Sequence, residues 1–378
     1  MRKGLLIAAA VLTLALACLL AWPVPVEPVA WNAPQSAGYV GAHARNERLA
    51  QLRSVKVTPE VGPEHIAFGP DGKLYTATLS GAVLRMNADG SSIETVANTG
   101  GRPLGLAFDA NGRLVIADAL RGLLALESDG RVRVLTDSVG GDPIRYADAV
   151  TVAADGRLLF TDASQRMSPQ THGTFDAALF DIIEQSCTGR VLEFDPAVGS
   201  TRIVATGLCF PNGIALTAGE QSLLVAETGT YRVLKIDRGS NAIDAGKALR
   251  EWSAGVAVLL DNLPGFPDNL TRGADGRFWT GFTKPRSDAI DGMSDKPWLR
   301  SLTLRLPRTL WPVPAAYGHV IAFDEQGHVL LDLQDPSGQL PETSGATEHE
   351  GVLYVQSLHA DAFGVLPLRD AGVTPRSP

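Results

Sequence analysis

The chain has 378 residues, of which 45% are hydrophobic and 39 are glycine, and its formal charge is −8 at pH 7. That is ample material for a core, and the length allows two domains or one repeat body. An acidic chain with no Lys/Arg-rich run argues against a phosphate-backbone partner, so nucleic acid is not expected.

At the N-terminus, Arg2 and Lys3 precede an apolar run from Gly4 to Trp22. About 20 apolar residues span a bilayer as a helix, and the leading positive charges favour a cytoplasmic N-terminus with the rest exported. The sequence predicts a transmembrane signal anchor over 1–22. A cleaved signal peptide, giving a secreted form, is the alternative, with A-L-A-C at Ala15–Cys18 as a poor lipoprotein site. The run continues through Leu19, Leu20 and Trp22 past any such cut, which favours the anchor. Residues 23–45, Pro-rich over Pro23–Pro34, read as a spacer, and the folded domain is placed at 46–378.

Beyond the spacer the chain repeats a glycine turn followed by an apolar strand: D-G-K-L-Y-T-A from Asp71, N-G-R-L-V-I-A-D from Asn111, D-G-R-L-L-F-T-D from Asp155, S-L-L-V-A-E from Ser222, D-G-R-F-W-T-G from Asp275 and E-G-V-L-Y-V-Q from Glu350. Each turn has a short apolar strand before it, and two more β-rich pieces follow most units. In the first unit the strands fall at Glu64–Phe68, Lys73–Thr78, Ala82–Met86 and Ile93–Asn98; in the second, at Leu104–Phe108, Arg113–Asp118, Gly122–Glu127 and Val132–Asp137. Four antiparallel strands per unit, repeated radially, hide most sheet edges, and six units lie within the ~4–8 blades of known propellers. The sequence thus predicts an all-β, six-bladed β-propeller; a sandwich or solenoid is the alternative. The last unit, ending at Phe363–Leu368, lacks a strand that Ser54–Val57 would supply.

Insertions at Gln165–Thr188 and Lys284–Tyr317 make the spacing unequal. The first contains F-D-A-A-L-F-D-I-I, apolar enough to shape a lid or to lie on the rim. In the second, Trp298, Leu299, Leu302 and Leu306 share a helical face that Pro307 ends, suited to covering the propeller or, second, to membrane contact. Cys187 and Cys209 flank a hairpin, Arg190–Asp195 with Arg202–Thr206, whose pairing numbers sum to 396, as do 187 and 209. A disulfide is expected in an oxidising compartment, against two separate buried thiols.

Counting to the start of the first strand of five units gives Glu64, Leu104, Asp148, Asn212 and Asp268. Innermost propeller strands run in one direction about the axis, so these positions converge at one end of the channel. Carboxylates aimed at one point raise one another's pKa unless a cation lies between them. Calcium, taking ~6–8 oxygens in loose geometry, suits carboxylates mixed with an amide better than magnesium does. No His/Cys set shares the register, which disfavours zinc there. The expected ligands are Glu64, Asn212 and Asp268, with Asn269 beside them; polar strand ends that only solvate a wet channel are the bland alternative.

G-P-E-H-I at Gly62, Y-A-D-A-V-T-V at Tyr146, F-P-N-G-I-A-L at Phe210, L-L-V-A-E-T at Leu223, G-F-P-D-N-L at Gly265 and E-H-E-G-V-L-Y at Glu348 together resemble the strictosidine-synthase-like family, and most closely its membrane-anchored members. The wider superfamily, with paraoxonases and gluconolactonases, implies a six-bladed propeller holding channel calcium and hydrolysing lactones or esters. Carried over by position, its ligands fall on Glu64, Asn212, Asp268 and Asn269. Two departures stand out. Ala147-Asp148 replaces the Asn-Asp of paraoxonase-like members, so Asp148 coordinates in its place or serves as a base. Thr343-Ser344-Gly345-Ala346 lacks the acid that alkaloid condensation requires near the last inner strand, with Glu342 and Glu348 only to either side.

For proton transfer Asp148 is the candidate in register. His65 follows a ligand and should point away from it by strand alternation, His172 and His319 lie in or beside insertions, and His349 sits at the far end of its strand. No G-x-S-x-G, H-E-x-x-H, P-loop or G-x-G-x-x-G motif occurs, so serine-hydrolase, zincin and nucleotide-cofactor chemistry lack support. The reading is an anchored, exported propeller with channel Ca2+ that hydrolyses small-molecule lactones or esters. The rival is a non-catalytic propeller whose ion only pins the blades while its rim binds a ligand or protein.

Overall fold

The computed structural model describes residues 2–373 and some of the side chains of the N-terminal helix; those of Arg2, Ala8, Ala9, Leu12, Leu14, Ala15, Leu16, Cys18 and Leu19 lie outside the described set. Six four-stranded antiparallel blades form the ring, with a short fifth strand, Ile243–Asp244, on the outer edge of blade 3. The innermost strands are Ile66–Phe68, Pro103–Phe108, Ala147–Val152, Pro211–Leu216, Gly265–Arg272 and Thr343–His349. Blade 6 is completed from the other end of the chain: Arg53–Lys56 pairs with Ala362–Pro367, Val55 opposite Phe363. This is the closure that the missing strand demanded.

One local rule builds the repeat. Gly72, Gly112 and Gly156 hold φ of +71°, +73° and +82° in the turn between the first two strands, a conformation that a side chain resists. The fourth unit has Glu220 instead of glycine at the equivalent position, with φ +54° and its amide donating to the Thr217 carbonyl as Gly72 donates to Gly69. The core lies between blades, where their faces meet. Leu224, Val233, Leu270, Phe278 and Phe323 fill one such space, each burial contributing about 1.5–3 kcal/mol.

The inner strands depart from regular pairing where they reach the channel mouth. Register shifts fall between Pro103 and Leu106, Ala147 and Val150, Pro211 and Ile214, Pro267 and Leu270, and Thr343 and Gly345. In blade 1 the ladder begins at Ile66, which leaves Glu64 ahead of it. Such bulges re-aim side chains beside functional sites. Gly213 lets blades 4 and 5 meet here, since a Cβ on it would lie 2.1 Å from the Leu270 nitrogen and 2.5 Å from the Asp268 oxygen.

Both insertions rise from the mouth end, each between the second and third strands of its blade. The first forms helices Pro169–His172 and Thr174–Glu184, the second Asp288–Asp291 and Pro297–Arg305. Arg300 ties them together, donating to the carbonyls of Ile183, Ser294 and Val29. The cavity-facing side of Pro297–Arg305 carries Arg300, Thr303 and Leu304. Trp298, expected to share the covering face, is instead 66% exposed.

Residues 23–45 are not a free spacer. Val26 is buried with Leu104, Tyr146 and Phe180, the Val29 amide donates to the Glu184 carbonyl, and Trp31 lies against Tyr231. The segment is a strap across the lids, so the folded unit begins before residue 46. Ahead of it is the helix Arg2–Ala21, with Leu5, Leu6, Ile7 and Val11 exposed. Among the described residues no helix is long and apolar enough to cross a membrane.

Cys187 and Cys209 are bonded to each other. The hairpin between them does not keep one register: pairs run from Asp195 opposite Ser200 through Val191 opposite Ala205 to Gly189 opposite Leu208, with two shifts on the way.

Candidate channel site

The channel mouth opens into a cavity of about 670 Å³ whose floor includes Glu64, Arg102, Leu104, Asp148, Asn212 and Asp268. The five strand-start positions therefore meet, and Asn269 joins them by donating its Nδ2 to Glu64 Oε1 at 2.7 Å and to the Glu64 carbonyl at 3.0 Å. Glu64, Asp148, Asn212, Asp268 and Asn269 are all at most 5% exposed. Hydroxyls fix their backbone: Thr161 donates to the Asn212 carbonyl at 2.7 Å, Thr228 to Pro267 at 2.6 Å and Ser344 to Glu64 at 2.6 Å. Ser344 is thus the blade 6 member of the ring. Ala147 is buried between blades 2 and 3 and does not face the mouth.

Four buried side-chain oxygens at this point, Glu64 Oε2, Asn212 Oδ1, Asp268 Oδ1 and Asn269 Oδ1, have no hydrogen-bond partner. An unsatisfied buried acceptor costs about 1–3 kcal/mol, so four together define a donor set for something that takes oxygen ligands. Burial drives the Glu64 carboxyl up to about 7, against the pull of Arg102 and the Asn269 amide. Burial and then the Glu64 charge push Asp148 well above the usual carboxylate range, and burial followed by Glu64 and Asp148 does the same to Asp268. With every group ionised, Glu64, Asp148 and Asp268 against Arg102 leave a charge of −3 + 1 = −2. An all-oxygen set with that residual charge fits a hard divalent cation.

Arg102 is a site residue that the strand count passes over, because it lies two positions before Leu104. It is 3% exposed, and its Nε and Nη2 have no partner. Also unpredicted is a group on the cavity wall: Glu342 Oε2 lies 2.6 Å from His359 Nδ1, and Glu342 Oε1 lies 3.0 Å from Lys284 Nζ. Glu342 and His359 are 17 residues apart and share no motif; only a φ of +54° at Glu342 marks the place.

The walls are apolar. Tyr146, Phe210 and Phe266 rise from the blades, Phe175, Leu179 and Ile182 come from the first lid, and Met293, Leu304 and Trp311 from the second. Tyr146 also donates its hydroxyl to the Thr174 carbonyl at 2.9 Å, which seats the first lid helix. Of the other histidines, His172 lines the cavity with its ring edge-on to Phe180. His65 is buried with Nδ1 unpaired, its pKa lowered to about 4 by burial, and lines a smaller space further down the channel. His349 stacks on Phe68. His319 faces Asp332 and not the cavity.

These features define a class: a six-bladed β-propeller with an oxygen-lined channel mouth beneath a helical lid. A gluconolactonase from Xanthomonas campestris superposes with TM-score 0.59 at 19% identity, covering 92% of this chain and 99% of that one. Regucalcin from Agrobacterium tumefaciens, described as a calcium-binding protein, does so with TM-score 0.56 at 13% identity, covering 83% and 92%. Residues 41–86 match the N-terminal strictosidine synthase-like family and residues 148–236 the strictosidine synthase family. The adipocyte plasma membrane-associated protein of Salmo salar is 31% identical over 362 residues, 89% of this chain and 82% of that one. The chain belongs to the strictosidine synthase-like family.

Proposed function

We propose that the protein is a calcium-dependent hydrolase of lactones or esters with an apolar body, exported and held at a membrane by its N-terminal helix. The observation that carries this reading is the cluster of partnerless buried oxygens at the floor of an apolar cavity. Glu64, Asn212, Asp268 and Asn269 would hold the ion, with Asp148 beside them. Bound there, calcium supplies a Lewis acid for the carbonyl oxygen or lowers the pKa of a water.

The chain's own groups do the rest. The unpaired N–H groups of Arg102 are available to a developing oxyanion. Asp148 on the floor and the His359 imidazole, held by Glu342 on the wall, are two proton acceptors that the cavity offers. Aromatic and aliphatic walls take the substrate's apolar part and exclude water. Ser344 leaves the mouth end of the last inner strand without an acid, with Glu348 further along that strand, which is why alkaloid condensation is not proposed.

Anchoring rests on the Arg2/Lys3-led apolar sequence, and export on the Cys187–Cys209 bond, which persists in oxidising compartments. Relatives carry the words plasma membrane-associated in their names. Carbonate extraction of membranes, followed by protease treatment of intact spheroplasts, tests both: the protein should stay in the pellet and be digested from outside.

Activity is tested on a panel of aliphatic and aromatic lactones and aryl esters, with calcium and then with chelator. Calcium-dependent turnover, with Asp148→Asn lowering kcat by roughly 10²–10⁴-fold, supports the hydrolase. If nothing turns over while calcium still raises the melting temperature, the ion pins the blades and the binding-propeller reading replaces this one.

A further inference from the structure

A second cluster of metal-ligating side chains lies away from the cavity, where the strap meets blade 5. His43 Nδ1 is 2.8 Å from Asp332 Oδ2, His319 Nε2 is 2.9 Å from the same oxygen, and the three ligand atoms all lie within 4.8 Å of one another. They come from separate places: the 3-10 turn Gly41–His43 of the strap, and the third and fourth strands of blade 5. None of the three lines the channel cavity.

Two imidazoles converge on one carboxylate oxygen while the other oxygen is already taken. Asp332 Oδ1 accepts from Asn46 Nδ2 at 3.2 Å and from Gln334 Nε2 at 2.5 Å. Gln334 Nε2 also donates to the His43 carbonyl at 3.2 Å, so the strap and the carboxylate share a brace. Supporting bonds of this kind orient a metal-binding carboxylate and leave its free oxygen aimed at the ion. His319 and Asp332 are buried at 2% and 6% exposure, and the His43 side chain is 19% exposed, which leaves one open side.

The donor set differs in kind from the channel's. Two imidazole nitrogens and one carboxylate suit zinc, which binds nitrogen at about 2.0–2.1 Å and keeps a water where the protein supplies three ligands. The all-oxygen mouth suits a hard cation instead. For zinc to enter, the donors spread from hydrogen-bond spacing by about half an ångström. His43, on a short turn with an open side, is the ligand that can yield.

We propose that His43, His319 and Asp332 form a zinc site that clasps the strap to blade 5. The strap carries Trp31 into the cavity wall and passes over both lids, so the clasp fixes the far end of a segment that covers the site.

The experiment uses the full-length chain in detergent, stripped with chelator and then titrated with zinc and, in parallel, with cobalt(II). The expected result is one zinc per chain and visible d–d absorption with cobalt. In His43→Ala, with unchanged circular dichroism, zinc affinity should fall at least ~10–100-fold, whereas in Asn212→Ala it should not change. Either of two results overturns the proposal: no retained zinc in the wild type, or equal zinc affinity in wild type, His43→Ala and His319→Gln. If His43→Ala lowers the melting temperature while the wild type takes up no zinc, the cluster is only a hydrogen-bonded pin.

Discussion

Arg102→Met removes the guanidinium whose charge opposes Glu64 and Asp148 in a buried mouth. Metal affinity and catalysis should then separate. The calcium dissociation constant should fall, because the residual charge grows from −2 to −3, while kcat drops by roughly 10²-fold with the loss of an oxyanion donor. Isothermal titration and steady-state kinetics on one preparation check this, and a variant that binds calcium more weakly contradicts the charge balance.

The same residues set a pH dependence. Glu64, raised from 4.5 to about 7 in the folded chain, keeps its proton across that window after the unfolded chain has released its own. The native state then binds more protons, so without cation its stability falls as pH rises from 4.5 to 7. A cation needs that proton gone. Calcium should therefore raise the melting temperature little at about pH 5 and much more at about pH 8, where the stabilisation reaches up to roughly 2.7 kcal/mol at a hundredfold excess over Kd. Equal increments at both values would argue that Glu64 is not a ligand.

Gly213 shows how an element depends on one missing atom. In Gly213→Ala the new Cβ would meet backbone of blade 5 on the strand that carries Asp268 and Asn269. Backbone cannot swing aside as a flexible side chain can, so the cost should be about 1–3 kcal/mol or more. Differential scanning calorimetry should show a lower melting temperature and weaker calcium stabilisation together; loss of stability alone would mean that the mouth does not depend on this contact.

The elements were legible because their signals are local. Turn glycines and period-two strands marked the blades, the short last unit pointed to Ser54–Val57, one residue along from the observed Arg53–Lys56, and equivalent strand starts gave Glu64, Asp148, Asn212 and Asp268. What was illegible depends on long side chains and on segments folding back. Arg102 reaches the mouth from outside the counted register. His319 sits on a blade strand beside an insertion, and only the strap's return brings His43 to Asp332. Trp298 fits the covering face by helical spacing, yet the Arg300 bonds turn that helix so that Arg300, Thr303 and Leu304 face inward.

On the scale of the whole molecule, the ring supplies rigidity and the insertions supply the chamber. Six inner strands fix buried oxygens from four blades at one point, while two lids and the strap enclose an apolar space above it. In the proposed hydrolase, rigid placement would let charged groups act on a bound carbonyl without reorganising, and the enclosure would keep water from screening them. On the proposed reading, one ion at the mouth both holds the blades and drives hydrolysis. The most direct measurement is a calcium titration followed in parallel by turnover of a long-chain lactone and by melting temperature, in wild type and Asn212→Ala. One half-saturation point is expected for both readouts, moving to higher calcium together in the variant. Stabilisation that saturates without turnover, or turnover unaffected by chelator, would contradict it.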